Sequence, residues 1–210
     1  MASPATIRLS SRKRPKQARS NELVASVLEA AAQVLAAEGA HRFTTARVAE
    51  KAGVSVGSLY QYFPNKASIL FRLQSDEWER TTNLLRRLLE NESQAPFDRL
   101  RALVHAFVLS ECEEADLRVA LADAAPLYRD APETGEAKGD GEDVIRSFID
   151  EVLPQAAADT RASAAGLIGS TLTTVGKDFS EDPHTPAEIA SFSDAMADMF
   201  CAYLRQLQVT

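Results

Sequence analysis

Apolar residues recur along this chain at three- and four-residue steps, and almost nowhere at two. Val24, Val27, Leu28, Ala31, Val34 and Leu35 form the first such stripe, which is one face of an α-helix. Ser20 or Asn21 can cap its start, and Gly39 ends it. A short helix follows, capped by Thr44 or Thr45 and stopped by a left-handed turn at Gly53. Ser55 caps a second short helix running to about Tyr62. Pro64 closes that helix, and Asn65 caps a long one from Lys66 to about Glu90. After Pro96 the set Leu100, Leu103, Val104, Phe107 and Val108 makes another helical stripe, and a further helix is predicted from Asp116 to about Tyr128. Residues 129–143 read as a loop, because Pro132, Gly135, Gly139 and Gly141 break the pattern. Val144, Ile145, Phe148, Ile149 and Val152 restore it. Residues 155–178 are rich in small side chains around Leu167, Ile168, Leu172 and Val175. Ile189, Phe192, Met196, Met199, Phe200, Tyr203 and Leu207 give a last amphipathic helix. About nine helices without strands predict an all-α fold.

Charge divides the chain in two. Residues 1–66 carry ten Lys or Arg against four acids, a net of +6, while the remaining 144 residues carry 13 bases and 26 acids, a net of −13. A basic end joined to an acidic remainder predicts a polyanion partner for the first and a different task for the second. The run from Ser10 to Lys16 reads as a mobile basic arm within residues 1–19. Cys112 and Cys201 are too few for a disulfide scaffold or a cysteine zinc site. His41, His105 and His184 are too scattered to form a metal or acid–base constellation, so neither metal nor cofactor is expected. No phosphate loop or nucleophile elbow is present, which argues against an enzyme. The first twenty residues lack the apolar core of an export signal, and no run is read as reaching the ~18 apolar residues of a membrane span. The expected setting is cytoplasmic.

The stretch from Thr44 to Lys66 carries the sharpest signal. Ala49, then Gly53 four positions on, then Val54 and Leu59, is the spacing of a helix-turn-helix. The small Ala49 allows the helices to cross, Gly53 takes the turn, and Val54 with Leu59 plugs the junction. Residues 43–70, FTTARVAEKAGVSVGSLYQYFPNKASIL, together with VLEAAAQVLAAEGA before them, resemble the DNA-binding domain of the TetR family of bacterial transcriptional regulators. Ala67 departs from the acidic residue common at that position. The resemblance implies a helix-turn-helix domain over 20–66 and a ligand-binding, dimerising helical domain over 67–210.

DNA contacts are expected from Thr44, Thr45, Arg47, Ser55, Val56, Gly57, Ser58, Tyr60, Gln61, Tyr62 and Lys66. Leu59 and Phe63 fill the inner face of their helix, so Tyr60 and Tyr62 are expected to point outward to phosphates, the role the resemblance also implies. Lys66 sits in a first helical turn, where a cation opposes the helix dipole but can join the helix end in holding a phosphate. Thr44 and Thr45 have two readings, cap or phosphate donor, and Ser55 reads as a cap. Arg47 has two as well, DNA contact or solvated cation. Gly57 leaves the outer face bare for base edges, Ser58 and Gln61 offer hydrogen bonds, and Val56 can meet a thymine methyl.

The resemblance further implies an apolar effector pocket, for which Trp78, Phe107, Glu111, Tyr128 and Phe148 are the candidates; ordinary core packing is the competing reading for each aromatic. A homodimer is expected through the last two helices, with Leu167, Ser170, Phe192, Met196, Met199 and Tyr203 at its interface. The function implied is a repressor that binds a palindromic double-stranded DNA operator as a homodimer and is released by a small apolar or cationic effector. Control by a protein partner is the alternative.

Overall fold

Alanine-rich sequence with spaced Val and Leu makes α1, Ala18–Arg42, which buries Val27, Ala30, Ala31, Val34 and Leu35 and breaks at Gly39, where φ is +73°. In the computed structural model, the described residues are Leu9, 18–129 and 132–209, with the side chains of 132–139 excepted. Most of the arm expected over 1–19 lies outside them, though Leu9 itself is buried. By length and composition α1 could cross a membrane, contrary to the expectation that no segment qualifies. Its alanines raise the average hydropathy. Its buried stripe packs in a protein core, as a core helix does.

The remaining elements are α2 (Thr45–Lys51), α3 (Val56–Tyr60), α4 (Lys66–Leu89), α5 (Pro96–Glu113), α6 (Ala115–Ala124), a 3-10 turn (Ala125–Leu127), α7 (Pro132–Val152), α8 (Ala158–Ser180) and α9 (Pro186–Val209). No strand occurs among the described residues, and the fold is all-α. The loop expected over 129–143 is corrected: α7 begins at Pro132, a residue suited to a first helical position. Glycine lowers helix propensity by about 1 kcal/mol. A Cβ at Gly141 would stand in van der Waals contact, 3.4 Å from Leu85 and Thr82 of α4, so this position packs against α4 within the helix.

Two compact units result, and each interrupts the other in sequence. The N-terminal unit comprises residues 1–77 and 116–137, the C-terminal unit residues 78–115 and 138–210. The expected domain limit at residue 66 therefore falls short of this division. Ile69, Leu70 and Leu73 of α4 join Phe43, Leu59 and Phe63 in the N-terminal core, and so do Ala120, Leu121, Ala124 and Tyr128. In the C-terminal unit α5 packs against α8 and α9, around Leu100, Val104, Phe107, Ile149, Ile168, Phe200 and Leu204.

Candidate nucleic-acid interface and effector region

Local hydrogen bonds build the helix-turn-helix. Thr44 Oγ1 accepts the Arg47 amide at 3.3 Å and caps α2. Gly53 turns with φ +67°, and the Val54 amide closes back on the Ala49 carbonyl at 2.9 Å. Ser55 Oγ then accepts the Ser58 amide at 3.0 Å and caps α3. Ala49 and Leu59 are fully enclosed between the helices. α4 starts on Asn65, whose Oδ1 accepts the Ser68 amide at 2.8 Å, and this leaves Lys66 exposed at the first helical position.

Several expected DNA-contact residues share the outer side of this motif. Val56, Gly57, Tyr60 and Gln61 are exposed on and just after α3, and Thr44, Arg47, Ser55 and Lys66 are exposed beside it. A Cβ on Gly57 would meet nothing closer than the Ser55 hydroxyl at 3.8 Å, so folding does not require glycine there. The Tyr60 hydroxyl lies 3.1 Å from Thr45 Oγ1 and ties the end of α3 to the start of α2. Ser58 is half-buried, with its hydroxyl 2.8 Å from that of Ser55. Arg47 pairs with Glu38 of α1, a partner nine positions away that spacing did not point to.

Tyr62 departs from expectation. Its ring is buried among the core residues of the N-terminal unit and does not point outward beside Tyr60. Helical hydrogen bonding continues past Tyr60, since the Tyr62 and Phe63 amides both donate to the Leu59 carbonyl oxygen at 3.0 Å, so Tyr62, three positions after Leu59, shares the inner face with Leu59 and Phe63.

The candidate effector residues divide between the two units. Phe107, Glu111 and Phe148 are buried in the C-terminal unit, where Trp78 is half-buried. Gly176 admits the Phe107 ring, which would lie 3.3 Å from a Cβ at that position. Tyr128 belongs to the N-terminal unit instead. Its hydroxyl lies 3.0 Å from the Leu121 carbonyl oxygen and 3.2 Å from Gln74 Oε1. Burial, with the nearby Glu77 charge, pushes its pKa up to about 12. Glu77 is itself buried and paired with Arg118 at 2.7 Å. This polar group binds α6 to α4.

The expected dimer residues separate by face. Leu167 and Met199 are about half exposed, at 53% and 51%, and Ser170 is exposed. Phe192 and Tyr203 are half-buried, with Phe192 stacked on Phe179 at 3.9 Å. Met196 is buried in the protomer's own core and is corrected as an interface residue. It lines up with Ser193, Ala197 and Phe200 on the inner face of α9, whereas Met199, two positions after Ala197, turns to the opposite side.

Comparison with known proteins agrees with this architecture. Residues 27–73 match the family model for bacterial regulatory proteins of the tetR family, and residues 95–207 match that for a tetracyclin repressor-like C-terminal domain. Nucleoid occlusion factor SlmA of Vibrio campbellii is 38% identical over 80 residues, 38% of this chain and 40% of that protein. The match thus spans well under half the length of that relative. Among solved structures, the fatty acid degradation regulator FadR of Bacillus halodurans superposes with a TM-score of 0.69 at 19% identity, over 89% of this chain and 96% of its own. FadR of Bacillus subtilis, solved with stearoyl-CoA, gives a TM-score of 0.69 at 15% identity over 84% and 96%. At such identities these structures speak for the fold.

Proposed function

This chain belongs to the TetR family of DNA-binding transcriptional regulators, and from that premise we propose that it is a repressor which binds a palindromic operator as a homodimer and is released by a small apolar or cationic effector. The observation that supports DNA reading best is the outer face of α3. Val56, Gly57 and Gln61 stand exposed on a helix held by its own serine cap, and Lys66 opens the next long helix beside it. Val56 is placed to touch a thymine methyl and Gln61 to hydrogen-bond a base edge. Gly57 leaves space for the duplex. Lys66, Tyr60, Thr44 and Thr45 serve phosphates, which fixes register without reading sequence.

Dimerisation uses α8 and α9, where Leu167, Ser170 and Met199 are exposed and Phe192 and Tyr203 half-exposed. In a two-fold dimer the paired α3 helices enter successive major grooves ~34–36 Å apart. An effector held in the C-terminal unit near Phe107, Glu111 and Phe148 stabilises a dimer with the wrong spacing. For a hundredfold loss of operator affinity it must prefer that state by ~2.7 kcal/mol. α4 runs from one unit into the other and carries the change. SlmA, by its name a nucleoid occlusion factor, keeps protein-partner control as the second reading.

The test is operator binding measured against salt. Lys66→Ala is expected to weaken binding to all sequences alike and to reduce the salt slope by roughly one unit per half-site. An unchanged slope removes Lys66 from the phosphate contacts.

A further inference from the structure

A cavity of about 630 Å³ opens in the C-terminal unit where α5 begins and α7 and α9 end. That volume lies within the range of small-molecule sites, ~300–1,000 Å³. Phe97, Val152, Pro154 and Leu207 supply apolar wall, and Glu151 and Gln208 supply polar atoms. None of the candidate effector residues lines it.

The walls are held in place from behind. Arg99 of α5 is buried and donates to the Leu89 carbonyl oxygen and to Glu151 Oε1, which fixes the end of α7. The Gln208 amide donates to the Val152 carbonyl oxygen at 3.0 Å and joins the end of α9 to α7. Arg161 of α8 donates to the Ala156 carbonyl oxygen at 2.5 Å and to Asp150 at 2.6 Å, which ties down the turn between α7 and α8. A site whose walls are already ordered binds without the entropic cost of ordering them.

The charge of the lining is one-sided. Glu151 brings a carboxylate, Gln155 and Gln208 bring amides that both donate and accept, and no Lys or Arg is among the lining residues. Arg205, 4.7 Å from the centre of the Phe97 ring, is not part of the lining. The Glu151 side chain stays 47% exposed although Arg99 occupies one of its oxygens. We propose that this cavity is a binding site for apolar molecules that carry an ammonium or other hydrogen-bond-donating head, with the tail against Phe97, Val152 and Leu207 and the head at Glu151. Molecules with a carboxylate head are rejected, because their charge would lie beside that of Glu151.

Titration calorimetry of the full chain at pH 7 with decylamine, 1-decanol and decanoate, each below its aggregation threshold, tests the assignment. Decylamine is expected to bind at least about tenfold more tightly than decanoate, with decanol between them. Leu207→Trp, which fills the mouth, weakens decylamine at least about tenfold. Glu151→Gln, which removes the charge at the head, narrows the difference between decylamine and decanol to less than about twofold. Should Leu207→Trp lose its helical circular dichroism, Gln208→Arg replaces it, and weakens decylamine more than decanol. Equal binding of all three probes, or decylamine binding untouched by these variants, overturns the proposal. Operator affinity with decylamine present tests the separate reading that a ligand releases DNA, and occupancy of this cavity does not depend on that result.

Discussion

The outer face of α3 and the outer faces of α8 and α9 solve opposite problems. On α3 the exposed positions are Val56, Gly57 and Tyr60, with Gln61 just after it, a mix of apolar and hydrogen-bonding groups beside Lys66 and mounted on local caps. On α8 and α9 the exposed positions include Leu167, Val175 and Met199, apolar groups on helices whose inner faces are already satisfied by core. Water can solvate the first face indefinitely, and a polyanion can replace that water. For the second, each half-exposed apolar side chain forgoes part of the roughly 1.5–3 kcal/mol that full burial gives, which another protein surface restores. The two faces thus differ in what can cover them, before any partner is named.

The largest effect expected is on the apolar side. Leu167→Glu combined with Met199→Glu should raise the dimer dissociation constant at least about a thousandfold, ~4 kcal/mol, with helicity intact in sedimentation and circular dichroism samples. A dimer of unaltered affinity would place the interface elsewhere. Next comes the buried Arg99. Arg99→Ala leaves the Leu89 carbonyl without its guanidinium donor and opens space beneath Phe148, whose ring centre lies 5.6 Å from the guanidinium carbon. Urea unfolding should show a loss of about 3 kcal/mol. On the polar side, Gly57→Leu should not lower the unfolding midpoint, because a Cβ there meets only the Ser55 hydroxyl and the better helix propensity adds up to about 1 kcal/mol. Operator affinity should fall about a hundredfold, ~2.7 kcal/mol, as the side chain holds the duplex away. A variant that binds as tightly as the parent would remove α3 from close groove contact.

The smallest effect concerns Tyr128, which joins α6 to the DNA-binding unit. Its pKa is about 12 when folded, against an ordinary 10. A phenol whose folded value is raised contributes its full stabilisation below pH 10 and loses it as pH climbs toward 12. Unfolding free energy should therefore fall by about 2 kcal/mol over that window. Tyr128→Phe should cost about 1 kcal/mol at neutral pH, through the lost hydroxyl bond to Leu121 or Gln74, and should flatten the alkaline decline. An identical alkaline slope in both proteins would show that other groups cause it.

What could be read directly from the chain was whatever the backbone decides within a few residues. The caps at Thr44, Ser55 and Asn65 and the turn at Gly53 were legible because donor and acceptor lie three to five positions apart. Tyr62 was misjudged because the inner face has room beyond Leu59 and Phe63: a residue three positions after Leu59 lies on that face as well. Met196 was misjudged because the last helix carries apolar residues on two faces, and periodicity alone does not say which one the protomer keeps. Arg47 with Glu38 and Arg99 with Glu151 were invisible, since their partners are set by packing across helices. The start of α7 was hidden by its glycines, which weaken a helix by about 1 kcal/mol each without ending it when the helix packs, as at Gly141 against α4.

The N-terminal unit is assembled from two separated pieces of chain, residues 1–77 and 116–137, and this imposes an order on biosynthesis. When residue 77 leaves the ribosome, Leu70 and Leu73 still lack the neighbours from α6 that complete their core. At ~5–20 residues per second the intervening stretch up to Tyr128 takes about 3–10 s to emerge. During that interval α5 emerges, while its packing partners α8 and α9 are not yet made. The nascent regulator therefore holds an unfinished DNA-reading head until part of its second half has been translated, and chaperone capture is most expected within that window.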